Sequence, residues 1–224
     1  MKAIHLVIAG FLFLSGCGQP GDSPRSNTDS DPKPRASKML KPEIQEQVAT
    51  LVRAGFYSKK RLLQIVSEEL YAPGEVNPDD LAAVIDEEVA KLESEKKTWP
   101  AVTDCDRLDA AFAALTKRGI LALHNAGFTQ SDGYEDVRAA LKNHPQKSTV
   151  VGYCFYHGQD VEHAVHGEGL HLAFGPVNPK DEVAKGPEIG RTVRDELERA
   201  GLKIEWDGTF ATRMYLPHFV WRRR

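Results

Sequence analysis

Residues 150–175, VVGYCFYHGQDVEHAVHGEGLHLAFG, constrain the fold more than any other stretch of the chain. Val151, Tyr153, Phe155 and His157 fall on one face of an extended segment, and Gly152, Cys154 and Tyr156 on the other, which is the period of two of a strand. His157-Gly158-Gln159-Asp160 breaks that alternation, with Asp160 placed to cap a helix of about two turns. Gly167 and Gly169 end the helix, and Leu170, Leu172 and Phe174 resume the period of two. Four of the eight histidines lie here, so the search for chemistry starts in this unit.

On either side the pattern continues. Trp99-Pro100 marks a boundary, and Thr103-Asp104-Cys105-Asp106 has the form of a capping box before a helix that ends near Gly119. Residues 120–124 read as a buried strand and 125–133 as a polar loop before a helix over 134–141. Gly186-Pro187 opens a helix with Ile189, Val193, Leu197 and Ala200 at helical spacing. Residues 202–206 alternate as a half-buried strand, and Asp207-Gly208 turns the chain back into 210–220. Pro217 puts that last strand at an edge or breaks it. The expectation for residues 98–224 is an α/β domain of α+β class, a mixed sheet of about five strands with helices mainly on one face.

Residues 41–97 carry three helical patterns. Ile44, Val48, Leu51 and Val52 precede Gly55; Ser58 caps a stripe of Leu62, Leu63, Ile65, Val66 and Leu70; Asn77-Pro78-Asp79-Asp80 starts a helix with Leu81, Val84, Ile85, Val89 and Leu92 on one face. These stripes read as core rather than as a ligand groove. The chain therefore starts its folded part with a three-helix segment.

The first residues are of another kind. Lys2 precedes an apolar run over residues 3–14, too short for a membrane span of ~20 residues. Leu14-Ser15-Gly16-Cys17 resembles the lipobox of bacterial lipoproteins. That resemblance implies cleavage of a signal peptide, residues 1–16, and lipid on Cys17, an anchor of the multi-chain kind that holds stably. Gly18 after the cysteine implies the outer membrane if the host is Gram-negative. Residues 18–37 contain no aromatic or large aliphatic residue and cannot offset their ordering entropy, so 17–40 are expected to form a tether averaging roughly 25 Å. A hydrophobic content of 41% and a net charge of −3 are those of a globular protein without a basic face, which argues against a nucleic-acid partner. Arg222, Arg223 and Arg224 read as a solvated end.

The blocks TDCDRLDAAF, HNAGFTQSDGYEDV, GYCFYHGQD and GLKIEWDGT are similar to successive blocks of a bacterial domain family of unknown function, over roughly residues 42–224. The resemblance implies one shared architecture and transfers no activity, cofactor or catalytic residue.

For chemistry, Asn125, Thr129, Gln130, Ser131, Asp132, His157, Gln159 and Asp160 form the most suggestive polar set, at the ends of two predicted strands where sheets place sites. The competing reading is that they cap helices and tie turns. If the two strands are adjacent and run the same way, residues 125–132 and 157–160 lie side by side as one recess. His163 and His166 share a helix face, but nothing resembles a zinc motif, and no metal or cofactor is expected. Cys105 and Cys154 are an even pair: a bridge would close a loop of ~50 residues, worth roughly 4 kcal/mol. The family resemblance, in which soluble relatives have similar TDCD and GYCFYH blocks, implies buried thiols instead. The function expected is a lipid-anchored envelope protein that binds an unknown protein or small molecule. The alternative is a hydrolase using His157 as general base with Asp160 or Asp132 orienting it.

Overall fold

The computed structural model describes residues 40–224. The expected signal peptide, Cys17 and all of the expected tether but Leu40 lie outside the described residues. Among the described residues the fold is mixed α+β, with seven α-helices and one four-stranded mixed sheet.

Helix α1 (Pro42–Ala54) starts on Pro42, whose missing N–H costs nothing in a first turn, and ends at Gly55 in the left-handed region at φ 77. Helix α2 (Lys59–Gln64) is capped by the Ser58 hydroxyl and runs directly into a π-helical turn (Ile65–Leu70). Helix α3 (Pro78–Lys96) begins at Asn77, whose side-chain oxygen accepts from the N–H groups of Asp79 and Asp80 at 2.9 and 3.2 Å. Ile44 and Val48 of α1, Leu62 and Val66 of α2 and its extension, and Leu81 and Ile85 of α3 share one buried cluster, which Leu40 joins. The Arg53 guanidinium grips Glu95 through two bonds of 2.8 and 2.7 Å and ties α1 to α3.

Helix α4 (Asp104–Lys117) carries the capping box: Thr103 N–H donates to Asp106 at 2.7 Å, and Asp106 N–H donates to the Thr103 hydroxyl at 3.2 Å. Then follow β1 (Ile120–Leu123), α5 (Gln130–Asn143), β2 (Gly152–Phe155), α6 (Gly158–Val165), β3 (Leu170–Pro176), α7 (Glu182–Arg199) and β4 (Met214–Leu216). The strands lie in the order β1-β2-β3-β4; β1 and β2 are parallel, and the other two pairs antiparallel. Cys154, Leu170, Leu172 and Phe174 pack with Leu108 and Phe112 of α4 and Val193 and Leu197 of α7. The opposite face, Tyr153, Phe155 and Ala173, packs with Val137 and Tyr134 of α5. That packing needs Gly133, where a Cβ would stand 2.2 Å from the Phe155 ring.

The structure differs from the sequence reading at five places. The fifth strand is absent: of residues 202–206 only Glu205 pairs, through two backbone bonds with Tyr215 at 2.7 and 3.0 Å. Asp207 Oδ1 accepts from Thr209 N–H, the Thr209 hydroxyl and the Thr212 hydroxyl, a side-chain network that competes with a strand ladder. Helix α7 opens at Glu182, so Pro187 lies inside it, where Gly186 leaves room for Phe210; a Cβ there would come within 2.7 Å. Helix α5 begins at Gln130, not Tyr134, because Thr129 caps it. The residue at the cap position of α6 is His157, and Asp160 sits three residues in. The basic end is docked rather than free, although Arg224 stays exposed. Trp221 Nε1 donates to the Arg53 carbonyl at the end of α1 at 3.1 Å, and the Arg223 guanidinium lies 4.5 Å over the Phe56 ring and 3.3 Å from Asp109. Arg224 reaches Asp106 at 2.6 Å. This C-terminal strap joins the helices of residues 42–96 to α4.

Candidate functional site

Because β1 and β2 are parallel neighbours, the chain leaves both at the same end of the sheet. The segments that follow are stitched together: Ala126 N–H donates to the Tyr156 carbonyl at 2.8 Å, Gly158 N–H to Gly127 at 3.0 Å, and Gln159 N–H to Phe128 at 3.1 Å. Gly158 permits the approach, since a Cβ there would lie 2.7 Å from the Phe128 ring. Residues 125–132 and 157–160 thus lie side by side.

Of the eight polar side chains expected there, only Asn125 and Gln159 line a common cleft. Thr129 and Asp132 are occupied with each other as a capping box of α5, with Thr129 N–H and hydroxyl both donating to Asp132 at 2.9 Å. Those bonds, led by the backbone N–H, hold the Asp132 carboxyl below its ordinary range. Gln130 donates to the Tyr134 hydroxyl at 3.0 Å, and Ser131 is exposed.

His157 and Asp160 are buried, at 4% and 5% exposure. Asp160 Oδ2 accepts from His157 N–H at 3.0 Å and from Arg213 at 2.6 Å, and lies 3.2 Å from His157 Nε2. Burial pushes the His157 pKa down; the Asp160 carboxylate opposes this and Arg213 adds to it. With Nε2 facing Asp160, buried Nδ1 lacks a hydrogen-bonding partner, as does Arg213 Nε. The Phe128 carbonyl lies close enough to favour a proton on the imidazole without making an aligned bond.

Asn125 and Gln159 instead line a cleft of about 310 Å3, whose other walls are α1, α2 and its π-helical extension. Leu51, Tyr57, Ile65, Leu70, Phe128 and Val161 make most of its surface apolar. Among the described residues Asn125 is the non-glycine residue held in the left-handed region, at φ 48, which Asn tolerates better than most side chains. Its amide donates to the Tyr57 hydroxyl at 3.3 Å, joining the strand-end loop to the link between α1 and α2. Arg61 and Glu69 form a two-bond pair across the π-helical turn, and Gln47 donates to Glu162 at 3.4 Å.

A family model described as a domain of unknown function, DUF6891, matches residues 37–224. The chain belongs to that family. The match spans the helices of residues 42–96 and the sheet alike, so both walls of the cleft fall inside one DUF6891 domain. No curated protein matches the chain, and no solved structure matches it.

Three further groups in this DUF6891 domain bear on chemistry. His124 Nδ1 lies 2.8 Å from the Tyr156 hydroxyl and Nε2 lies 3.5 Å from Asp109, an order of carboxylate, imidazole and hydroxyl. Tyr156 is fully buried and burial pushes its hydroxyl pKa up, so the array satisfies a buried polar group rather than presenting a nucleophile. Cys105 and Cys154 are free thiols, and the bridge considered from sequence is not formed. Burial raises the Cys105 pKa to about 12 and pushes that of Cys154 up as well, which makes both poor nucleophiles. His163 pairs with Glu168 at 3.4 Å and His166 with Thr50 at 3.3 Å, so the two do not share a partner. Among the described residues no group of three or more His, Cys, Asp or Glu is placed to hold a metal ion.

Sequence reading missed Tyr57, Arg61, Glu69 and Gln47 in the cleft wall, and assigned Leu51, Ile65 and Leu70 to core alone. The available signal was Phe56-Tyr57, an aromatic pair in the short link between two helices.

Proposed function

We propose that this chain is a lipid-anchored protein of the bacterial cell envelope that binds a small molecule in the cleft between α1–α2 and the ends of β1 and β2. In this reading the signal over residues 1–16 is removed, lipid on Cys17 carries attachment, and residues 17–40 hold the body off the bilayer, at the outer membrane in a Gram-negative host. No helix among the described residues is long and apolar enough to cross a membrane. The three helices of residues 41–97 then act as a second body that closes on the sheet.

The observation that carries the binding reading is the cleft itself. It lies beyond the carboxyl ends of two parallel strands, where open sheets place ligands, and it is mostly apolar with a few placed polar groups. The test is mass spectrometry of small molecules extracted from the protein purified from its own membranes, wild type against Gln159→Trp. A compound retained by wild type and lost from the variant supports the reading; identical extracts overturn it.

The 3.2 Å pair of His157 and Asp160 is what favours a hydrolase instead. Binding is the stronger reading because His157 is only 4% exposed and does not line the cleft. Its orienting carboxylate is also engaged by Arg213.

A further inference from the structure

We infer that the cleft selects a neutral molecule over an anionic one, largely apolar and of about two rings, carrying one hydrogen-bonding group that Asn125 and Tyr57 read; this rests on the binding reading above. The size comes from the volume. About 310 Å3 is roughly twice the ~150 Å3 cavity that accommodates benzene.

The demand for neutrality comes from how the wall spends its charges. Both terminal nitrogens of Arg61 are on Glu69, and Glu162 receives Gln47. An anionic ligand would lose its water, find the Arg61 charge already spent on Glu69, and face the Glu162 carboxylate, whose partner is a neutral amide. The start of α6 offers no anion cradle either. The N–H groups of Gly158 and Gln159 are taken by the carbonyls of Gly127 and Phe128.

Of the neutral polar groups, Gln159 stands at the exposed mouth, and Asn125 with Tyr57 forms a pair on the wall. The Asn125 amide nitrogen donates to the Tyr57 oxygen. Asn125 Oδ1 and the Tyr57 hydroxyl proton are left without partners among the described residues, an acceptor and a donor side by side on the cleft wall. A primary or secondary amide, or an alcohol, matches that pair. The positive φ of Asn125 holds the acceptor in place at some backbone cost, and strain of this kind gathers at binding sites.

The test uses two probes on the same ring system, neutral 2-naphthamide and anionic 2-naphthoate, which also lacks the N–H donor. Each is titrated calorimetrically into the full-length lipidated protein in micelles, with micelle blanks subtracted. Three variants accompany wild type. Asn125→Gly removes the amide but keeps the backbone conformation, Tyr57→Phe removes the hydroxyl, and Gln159→Trp fills the exposed mouth. The expected result is one site for 2-naphthamide, at least about tenfold tighter than 2-naphthoate. Asn125→Gly and Tyr57→Phe should each weaken 2-naphthamide about three- to tenfold, the worth of one hydrogen bond. Gln159→Trp should abolish binding. If wild type binds neither probe, or Gln159→Trp binds as wild type does, the cleft itself is not the site and the binding reading falls too. Equal affinity for both probes, with loss in Gln159→Trp, overturns neutral selection alone. Unchanged 2-naphthamide affinity in both Asn125→Gly and Tyr57→Phe overturns the polar readout.

Discussion

Asp160→Asn tests whether the buried group at the start of α6 is structural. One oxygen, Asp160 Oδ2, takes the His157 N–H at 3.0 Å and Arg213 at 2.6 Å, and lies 3.2 Å from His157 Nε2. Asn keeps the volume and can still accept one of these bonds, but it removes the charge that Arg213 faces. Breaking a buried ion pair by removing one partner costs about 3–5 kcal/mol. The Arg213 side chain is 26% exposed and recovers some hydration, which brings the expectation down to about 2–3 kcal/mol. For a body of this size that lowers Tm by about 5–10 °C. Urea denaturation monitored by tryptophan fluorescence gives the free energy, and calorimetry the Tm. Arg213→Met and the double variant complete a cycle. The double should cost clearly less than the sum of the singles, because it leaves neither charge without its partner. Stability of Asp160→Asn within about 0.5 kcal/mol of wild type, or strict additivity in the cycle, would refute the reasoning.

Four shorter predictions follow from the same structure. His124, His157 and His171 all have pKa values pushed down, by burial first. The unfolded chain therefore binds more protons than the folded one below the ordinary histidine value of 6.5, and stability should be full above that pH and fall as pH drops below it, by up to about 1.4 kcal/mol per pH unit for each histidine. Equal urea midpoints at pH 7.5 and pH 5 would contradict this. Asp132→Ala removes one half of the α5 capping box and should cost about 1 kcal/mol without changing cleft binding; a neutral urea midpoint, or lost binding, would show that Asp132 does something other than cap. Truncation after Val220 deletes the strap and should cost about 2–3 kcal/mol, with earlier proteolysis within residues 41–97; a fragment pattern like that of wild type would mean the strap holds nothing. Cys17→Ser should abolish incorporation of a fatty-acid analogue and leave uncut precursor, and equal labelling of both forms would remove the anchor from the proposal.

What the sequence determined by itself is what short-range chemistry decides. Thr103 and Asp106 are three residues apart, and their reciprocal bonds could be read from that spacing. Asn77-Pro78 and Gly55 likewise mark helix ends because the groups they satisfy lie within one turn. The alternation of residues 151–156 gave β2 its two faces, and two buried runs separated by a helix led to the side-by-side placement of 125–132 and 157–160. The same local rule operates at Thr129 and Asp132, whose reciprocal cap lies inside a stretch that its polar composition makes look like loop. Other features depend on partners that no local pattern names. Residues 202–206 alternate like a strand, yet Ile204 and Trp206 pack on the main core while only Glu205 forms a bridge to a neighbouring strand. The basic end became a strap because Arg53 and Phe56, more than 160 residues earlier, offered a carbonyl and a ring. The cleft is the extreme case. Asn125 meets Tyr57 across 68 residues and Gln47 meets Glu162 across 115, so only the docking of the helices on the sheet brings its walls together. That docking also decides which polar groups remain facing open space: His157 was carried inside, where burial suppresses its charge, while Asn125 was left at the wall with an acceptor to offer.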